Sequence, residues 1–206
     1  MSIFILLFII IFINHAVNGE LIESVQGMWA EILSFSLEDG ELVEVIGEGK
    51  AEVNYLDYKI EGDYIRYQVQ TSDIHSKGNV CMNTEDYQLF TEKISAKLEK
   101  GTFAAQGEVL FRGSNLEVHS DKLYIEEKEE LMTFAGNVIL ELNEIKAVAD
   151  TLIYYSANKI LFLEGNVSGE NEKIEFSGNK MEINLETEQI KLQDGAGMFL
   201  KAAGDD

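Results

Sequence analysis

GNVILELNEIKAVADTLIYYSANKILFLEGNV, residues Gly136 to Val167, opens and closes on the same tripeptide. The two glycines stand 29 residues apart, and the same step backwards reaches Gly107, Gly78 and Gly49. Five units therefore run from Gly49 without an insertion, the mark of a stacked, repeating architecture. Other columns keep the same step. The third residue of each unit is Ala51, Val80, Val109, Val138 and Val167. The fourteenth is small (Gly62, Thr91, Ser120, Ala149, Gly178), and the fifteenth is acidic or an amide (Asp63, Glu92, Asp121, Asp150, Asn179).

Inside a unit the apolar residues alternate. Met132, Phe134, Gly136, Val138 and Leu140 are spaced by two, as are Leu161, Leu163, Gly165 and Val167. Spacing by two is the signature of a strand with one buried face. The repeated glycine is expected mid-strand on the inward face, where it marks a tight bend. In the second strand of the unit, Ile145, Ala147 and Ala149 are followed by Leu152 and Tyr154. That switch of parity calls for a bulge or corner at the small-acid pair. Polar runs such as EEKEE and SANK supply the turns. A half unit precedes Gly49: Ala30-Glu31 takes the small-acid step, Leu33, Phe35 and Leu37 alternate, and Asp39-Gly40 marks a hairpin. Met198, Phe199 and Leu200 in GAGMFLKA can add a closing strand. The expectation is an all-β, open antiparallel β-jellyroll built from 29-residue repeats. A parallel β-solenoid is the alternative, disfavoured by the hairpin signal and by only two long strands per unit.

The chain has 206 residues. Ile3–Ile13 is an unbroken apolar run too short to span a bilayer, which takes roughly 20 residues. Val17 and Gly19 sit three and one before a potential cut, so residues 1–19 read as a cleaved signal peptide despite lacking Lys or Arg. An uncleaved short anchor is the other reading, and either one exports the rest. Residues 20–201 then form one domain, and 202–206 a disordered tail. The net charge of −21 argues against nucleic acid and against anionic membrane surfaces. A single cysteine, Cys81, allows no internal disulfide. There is no proline to blunt a sheet edge, so the first and last strands invite strand addition.

No pattern for catalysis stands out, and an enzyme is not expected: no strained nucleophile turn and no distinguished carboxylate pair is visible. The acid column would form a metal or sugar ladder, or, as Asp and Asn do in turns, bond backbone N–H groups at each corner. His75 and His119 fall in outward columns without ligand spacing, and neither a metal nor a cofactor is implied. Cys81 reads as a spectator. The Asn166 sequon lies in a repeat column and reads as coincidence. Tyr55, Tyr58, Tyr64 and Tyr67 cluster as cross-strand pairs or as a partner surface.

Taken as a pattern of G-N-V, then small-acid, then alternating apolar residues before the next glycine, Gly136–Val167 resembles the OstA-like family. The resemblance runs from Ala30 to Leu192, and implies an open jellyroll whose groove holds the acyl chains of lipopolysaccharide or another multi-acyl lipid. It implies a bridge across the periplasm from inner to outer membrane, with LptC-like and LptD-like partners at its two ends. The groove would be lined by inward columns: Val80, Val109, Val138 and Val167; Met82, Phe111 and Leu140; Ile65, Ile94, Leu123 and Leu152; Phe103, Met132 and Leu161; Phe134 and Leu163. Head-to-tail joining would use Leu33, Phe35 and Leu37 at one edge and Met198, Phe199 and Leu200 at the other. A structural or adhesive β-repeat protein with a filled core is the alternative, and a polysaccharide-binding solenoid or lyase a third. The acidic surface opposes a phosphorylated head group, which points to a different or less phosphorylated lipid, or to a role in solubility and partner steering.

Overall fold

A computed structural model describes residues 25–201, with the backbone of the short pairs Ala16–Val17 and Glu20–Leu21 before them. The apolar run 3–13, the expected cut after Gly19 and the tail 202–206 lie outside the described residues.

The strands are β1 (Gly27–Trp29), β2 (Ile32–Glu38), β3 (Glu41–Tyr55), β4 (Tyr58–Gln68), β5 (Asp73–Asn83), β6 (Gln88–Lys97) and β7 (Thr102–Arg112). They continue as β8 (Leu116–Glu126), β9 (Leu131–Leu142), β10 (Ile145–Tyr155), β11 (Ile160–Glu170), β12 (Ile174–Asn184), β13 (Gln189–Gln193) and β14 (Gly197–Leu200). From β3 to β12 each strand pairs with its sequence neighbours, and all of these pairings are antiparallel. The parallel solenoid is therefore excluded, and the sheet does not close on itself.

Every long strand bends at the same place, because the repeat puts a corner in each. In β10, Ala147 and Ala149 are buried, Asp150 is exposed, and burial resumes at Leu152. In β9, Ala135 pairs with Thr151 and Val138 with Ala149, so three steps on the glycine strand meet two on the acid strand. The extra residue thus sits in Gly136-Asn137, opposite the small-acid pair where the bulge was expected. Gly136 has φ +79° and Asn137 φ +47°, and the other four glycine steps show the same pair of left-handed residues. The glycine is mid-strand, as expected, but does not face the core. A Cβ at Gly136 would lie 2.4 Å from Asp121 Oδ2 on the preceding strand, so the glycine vacates the space that the acid fills. Asn137 Nδ2 then donates to Asp121 Oδ2 at 2.9 Å, as Asn79 does to Asp63 and Asn166 to Asp150 at 2.8 Å. At Asp63, Asp121 and Asp150 a side-chain amide is thus the donor where turn chemistry suggested backbone N–H groups. At one position of the small column a side chain is excluded outright: a Cβ on Gly62 would meet Ser76 Oγ at 2.5 Å.

The line of corners folds the sheet into two layers whose apolar faces meet. One layer holds the strand halves beside hairpins 55–58, 83–88, 112–116, 142–145 and 170–174; the other holds the halves beside 68–73, 97–102, 126–131 and 155–160. Ring contacts cross between them: Phe111 meets Phe134 edge-on at 5.5 Å, and Tyr58 stacks on Phe103 at 4.9 Å. The centre is filled, with Phe134, Leu140, Leu152 and Leu161 all 0% exposed.

The fold line reaches both ends. β1 and β2 pair with the two halves of β3, breaking at Ala30-Glu31, where the Glu31 N–H donates to Gly49 O at 2.9 Å. β13 and β14 pair with the two halves of β12 in the same way.

Candidate functional site

The mouth of the folded sheet lies opposite the line of corners, where hairpins of the two layers come side by side. A cleft of about 460 Å³ opens there, within the usual size of a ligand pocket. Phe111, Leu116, Ile125, Leu131, Met132 and Leu185 supply apolar lining. Tyr58, Tyr87 and Tyr154 are its polar-tipped aromatics, and Asp86, Glu126, Glu127, Glu130 and Lys159 its charged groups. These residues share the cleft because hairpin 83–88 of one layer and hairpins 126–131 and 155–160 of the other end at the same height. Tyr87 packs on Phe111 at 5.0 Å. Nearby, the Tyr55 hydroxyl reaches Leu98 O across the mouth at 3.5 Å.

The electrostatics of the cleft are one-sided. Lys159 is engaged with Glu186 at 3.5 Å. The Tyr87 hydroxyl and the Glu127 carboxylate both face the Tyr58 hydroxyl, the hydrogen-bonding group between them. Burial, then the Glu127 carboxylate, pushes the Tyr58 phenol well above its ordinary range, and the same two causes raise Tyr87. Tyr154 is raised by burial first and by Asp86 second.

All of the inward-column residues named from the sequence are buried. Only Phe111 and Met132 among them line the cleft; the rest, such as Val138, Leu152 and Leu163, pack between the layers. At the two ends the inner surface is uncovered. Phe35, opposite Val45, is 54% exposed, and Leu37 also faces solvent, while Leu33 is partly buried. At the far end Met198 and Leu200, opposite Phe176 and Ile174, are exposed, Leu200 by 80%. Phe199 is exposed on the outer face and borders a shallow hollow with Phe176 and Glu175.

Of the first unit's tyrosines, Tyr55 and Tyr58 form a cross-strand pair with rings stacked at 6.5 Å, while Tyr64 and Tyr67 stand apart from them. Tyr55 and Tyr67 are buried, Tyr58 lines the cleft, and Tyr64 faces outward with Lys77 Nζ 4.3 Å from its ring centroid. His75 bonds Ser95 Oγ at 3.0 Å, and His119 Nε2 lies 3.0 Å from Glu117, which also holds Arg112. Burial raises the Cys81 thiol, whose Sγ accepts from Asn83 at 3.3 Å. The Asn166 amide of the sequon is the one that holds Asp150. The sequence reading did not mark Tyr87 or Asp86, and placed Tyr154 only in a strand and Glu127 only in a turn. The signal was the tenth column, Tyr58, Tyr87, Leu116, Ile145 and Ile174, which keeps an aromatic or large apolar residue just after each hairpin.

A family model described as LptA/(LptD N-terminal domain) LPS transport protein matches residues 59–189, more than half of the chain. No curated protein matches the chain in sequence. Among solved structures, the chain is similar to LptH of Pseudomonas aeruginosa, described as the LptA-homologous periplasmic component of the conserved lipopolysaccharide transport device. The TM-score is 0.53 at 12% identity, over 56% of this chain and 95% of that one, a likeness of fold. The fold, the repeat and the family match agree, and the chain belongs to the LptA/LptD N-terminal domain family of lipopolysaccharide-transport proteins.

Proposed function

We propose that the protein is a non-enzymatic periplasmic carrier that takes the acyl chains of lipopolysaccharide, or a related multi-acyl lipid, between its two layers. It passes them from the inner toward the outer membrane, in a head-to-tail bridge with LptC-like and LptD-like partners at its ends. The observation that carries the reading is the inner surface. Its apolar residues run from one end to the other, emerge uncovered at Phe35 and Leu200, and open sideways at the cleft. Each buried CH2 contributes about 0.8 kcal/mol, so a chain of about a dozen carbons gains roughly 10 kcal/mol, enough to hold a lipid out of water.

The filled centre sets how loading works. Chains enter at the mouth, and the layers part about the line of corners, where each strand already bends at two left-handed residues. Parting the layers there breaks side-chain packing and spares the strand-to-strand ladder. The same filled centre favours a second reading, a structural β-repeat protein that takes no lipid.

The two readings part at Met132→Asp, on the cleft wall. The carrier reading expects a folded variant, by circular dichroism, that no longer extracts a multi-acyl lipid from vesicles, whereas the unaltered protein does. Extraction by neither protein supports the structural reading and contradicts the carrier.

A further inference from the structure

The cations of this acidic chain are unevenly placed. Lys59, Lys146, Lys180 and both arginines are each held by a carboxylate. Lys77, Lys93, Lys97, Lys100 and Lys122 are exposed and make no ion pair among the described residues. All five stand on the outer face of β5–β8 or on hairpin 97–102 beside it, because Ser76, Ile94, Ala96 and Leu123 take the inward positions of the alternation. Lys77 is opposite Lys93, and Lys93 and Lys122 flank Gln106, so the row crosses the four strands in roughly 14 Å. Two hollows share this face. The one at the corner has Tyr64, Lys77 and Lys93, and its acids, Asp63 and Glu92, fill the space left by Gly78 and Gly107. The one at the rim, about 370 Å³, has His75, Ser95, Lys97, Lys100 and the exposed ring of Tyr124, with Asp73 as its acid. Lys93 and Lys97 are four residues apart, about 13 Å, so both hollows lie on one track along β6. The rim hollow adjoins the cleft: the Glu127 N–H donates to Gly101 O at 2.9 Å, which seats hairpin 97–102 against the cleft wall.

Lysines without carboxylates call for an anion, and the composition of the face says which kind. Protein interfaces are built on apolar and aromatic anchors and are depleted in lysine, whereas no aliphatic side chain larger than Ala104 stands among these lysines. An anionic membrane would also confront the rest of a chain with a net charge of −21. A short anionic saccharide meets the lysines alone, with a C–H face on the Tyr124 ring and hydroxyls on His75, Ser95 and Thr102. We propose that the outer face of β5–β8 receives the anionic saccharide head group of the carried lipid. The proposal rests on the carrier reading: acyl chains enter at the cleft, whose acids repel the head group, and the head group passes over hairpin 97–102 onto Lys100, Lys97 and Lys93. An acidic protein thereby accommodates a phosphorylated or carboxylated head.

The test uses tetragalacturonate, an acidic saccharide without acyl chains, and maltotetraose, a neutral one, titrated calorimetrically at low ionic strength, together with extraction of lipopolysaccharide from zwitterionic vesicles. Tetragalacturonate is expected to bind at least roughly tenfold more tightly than maltotetraose, and salt should narrow the gap. Lys93→Gln with Lys97→Gln should remove most of that preference and lower extraction severalfold. Lys173→Gln with Lys191→Gln removes the same charge outside the face and should change neither. Met132→Asp should stop extraction and leave tetragalacturonate binding intact. Equal binding of the two saccharides, or binding of neither, overturns the proposal. So does an equal loss in both lysine double variants, which would assign the preference to net charge. If tetragalacturonate needs Lys93 and Lys97 but extraction does not, the face serves a free glycan, and the head-group assignment falls while the carrier reading stands. If even the unaltered protein extracts no lipopolysaccharide, the carrier reading falls as well.

Discussion

Gly136→Ala is a single-atom test of the corner. The residue has φ +79°, a region that costs an L-residue about 1–2 kcal/mol. The added Cβ would also sit 2.4 Å from Asp121 Oδ2, so the carboxylate must move and its bond from Asn137 is lost. That bond is solvent-exposed, which puts its worth near the low end for a charged hydrogen bond, about 1 kcal/mol. The total expected loss is about 2–3 kcal/mol. Gly40→Ala supplies the reference: its φ is +87°, yet nothing lies within 4 Å of the new Cβ, so only the backbone cost of about 1–2 kcal/mol applies. Urea denaturation followed by circular dichroism measures both. A double-mutant cycle with Asp121→Ala isolates the carboxylate's share, since removing it should lower the cost of Gly136→Ala and leave, above the Gly40→Ala reference, only the 3.1 Å approach of the new Cβ to the Cβ of residue 121. Equal losses for the two glycine variants, or no coupling between positions 121 and 136, would refute the account of the repeat.

At the ends, Phe35→Glu or Leu200→Glu should leave the monomer folded and abolish concentration-dependent association in light scattering; association that persists in both variants counts against joining through these strands. Tyr58 and Tyr87 hold their protons more tightly folded than unfolded, so the stability they contribute is complete below about pH 10 and is lost as pH rises through their folded values. Alkaline denaturation should therefore be less steep in the Tyr58→Phe, Tyr87→Phe double variant. Glu117 is held below its ordinary value by Arg112 and then His119, and its small contribution is present above the unfolded pKa and fades as pH falls. In carboxyl NMR, Arg112→Ala should return Glu117 toward the usual glutamate range, and an unmoved titration would remove Arg112 as the main cause.

Much of the architecture is legible because the repeat writes the same physics five times. The parity switch at Ala149-Asp150-Leu152 foretold the corner, and Asp39-Gly40 the hairpin, which the left-handed φ of both residues bears out. What the alternation concealed was which strand carries the extra residue. Phe134, Gly136 and Val138 look evenly spaced, and only the pairing of Ala135 with Thr151 and Val138 with Ala149 reveals the additional step. The cleft was hidden for a different reason. It joins positions from separate hairpins, such as Asp86 and Tyr154, and their proximity depends on how tightly the two layers fold together. The inward columns were readable as buried, but burial alone does not distinguish Leu152, packed in the centre, from Met132, at the edge of the opening.

The most direct test of the carrier reading is native mass spectrometry, with extraction and identification of bound lipid, on protein isolated from the periplasm without detergent. The account predicts a protein mass accompanied by a multi-acyl lipid, released on organic extraction. A lipid-free mass that stays unchanged when such a lipid is added would contradict it, and would leave the family fold serving as a filled structural repeat.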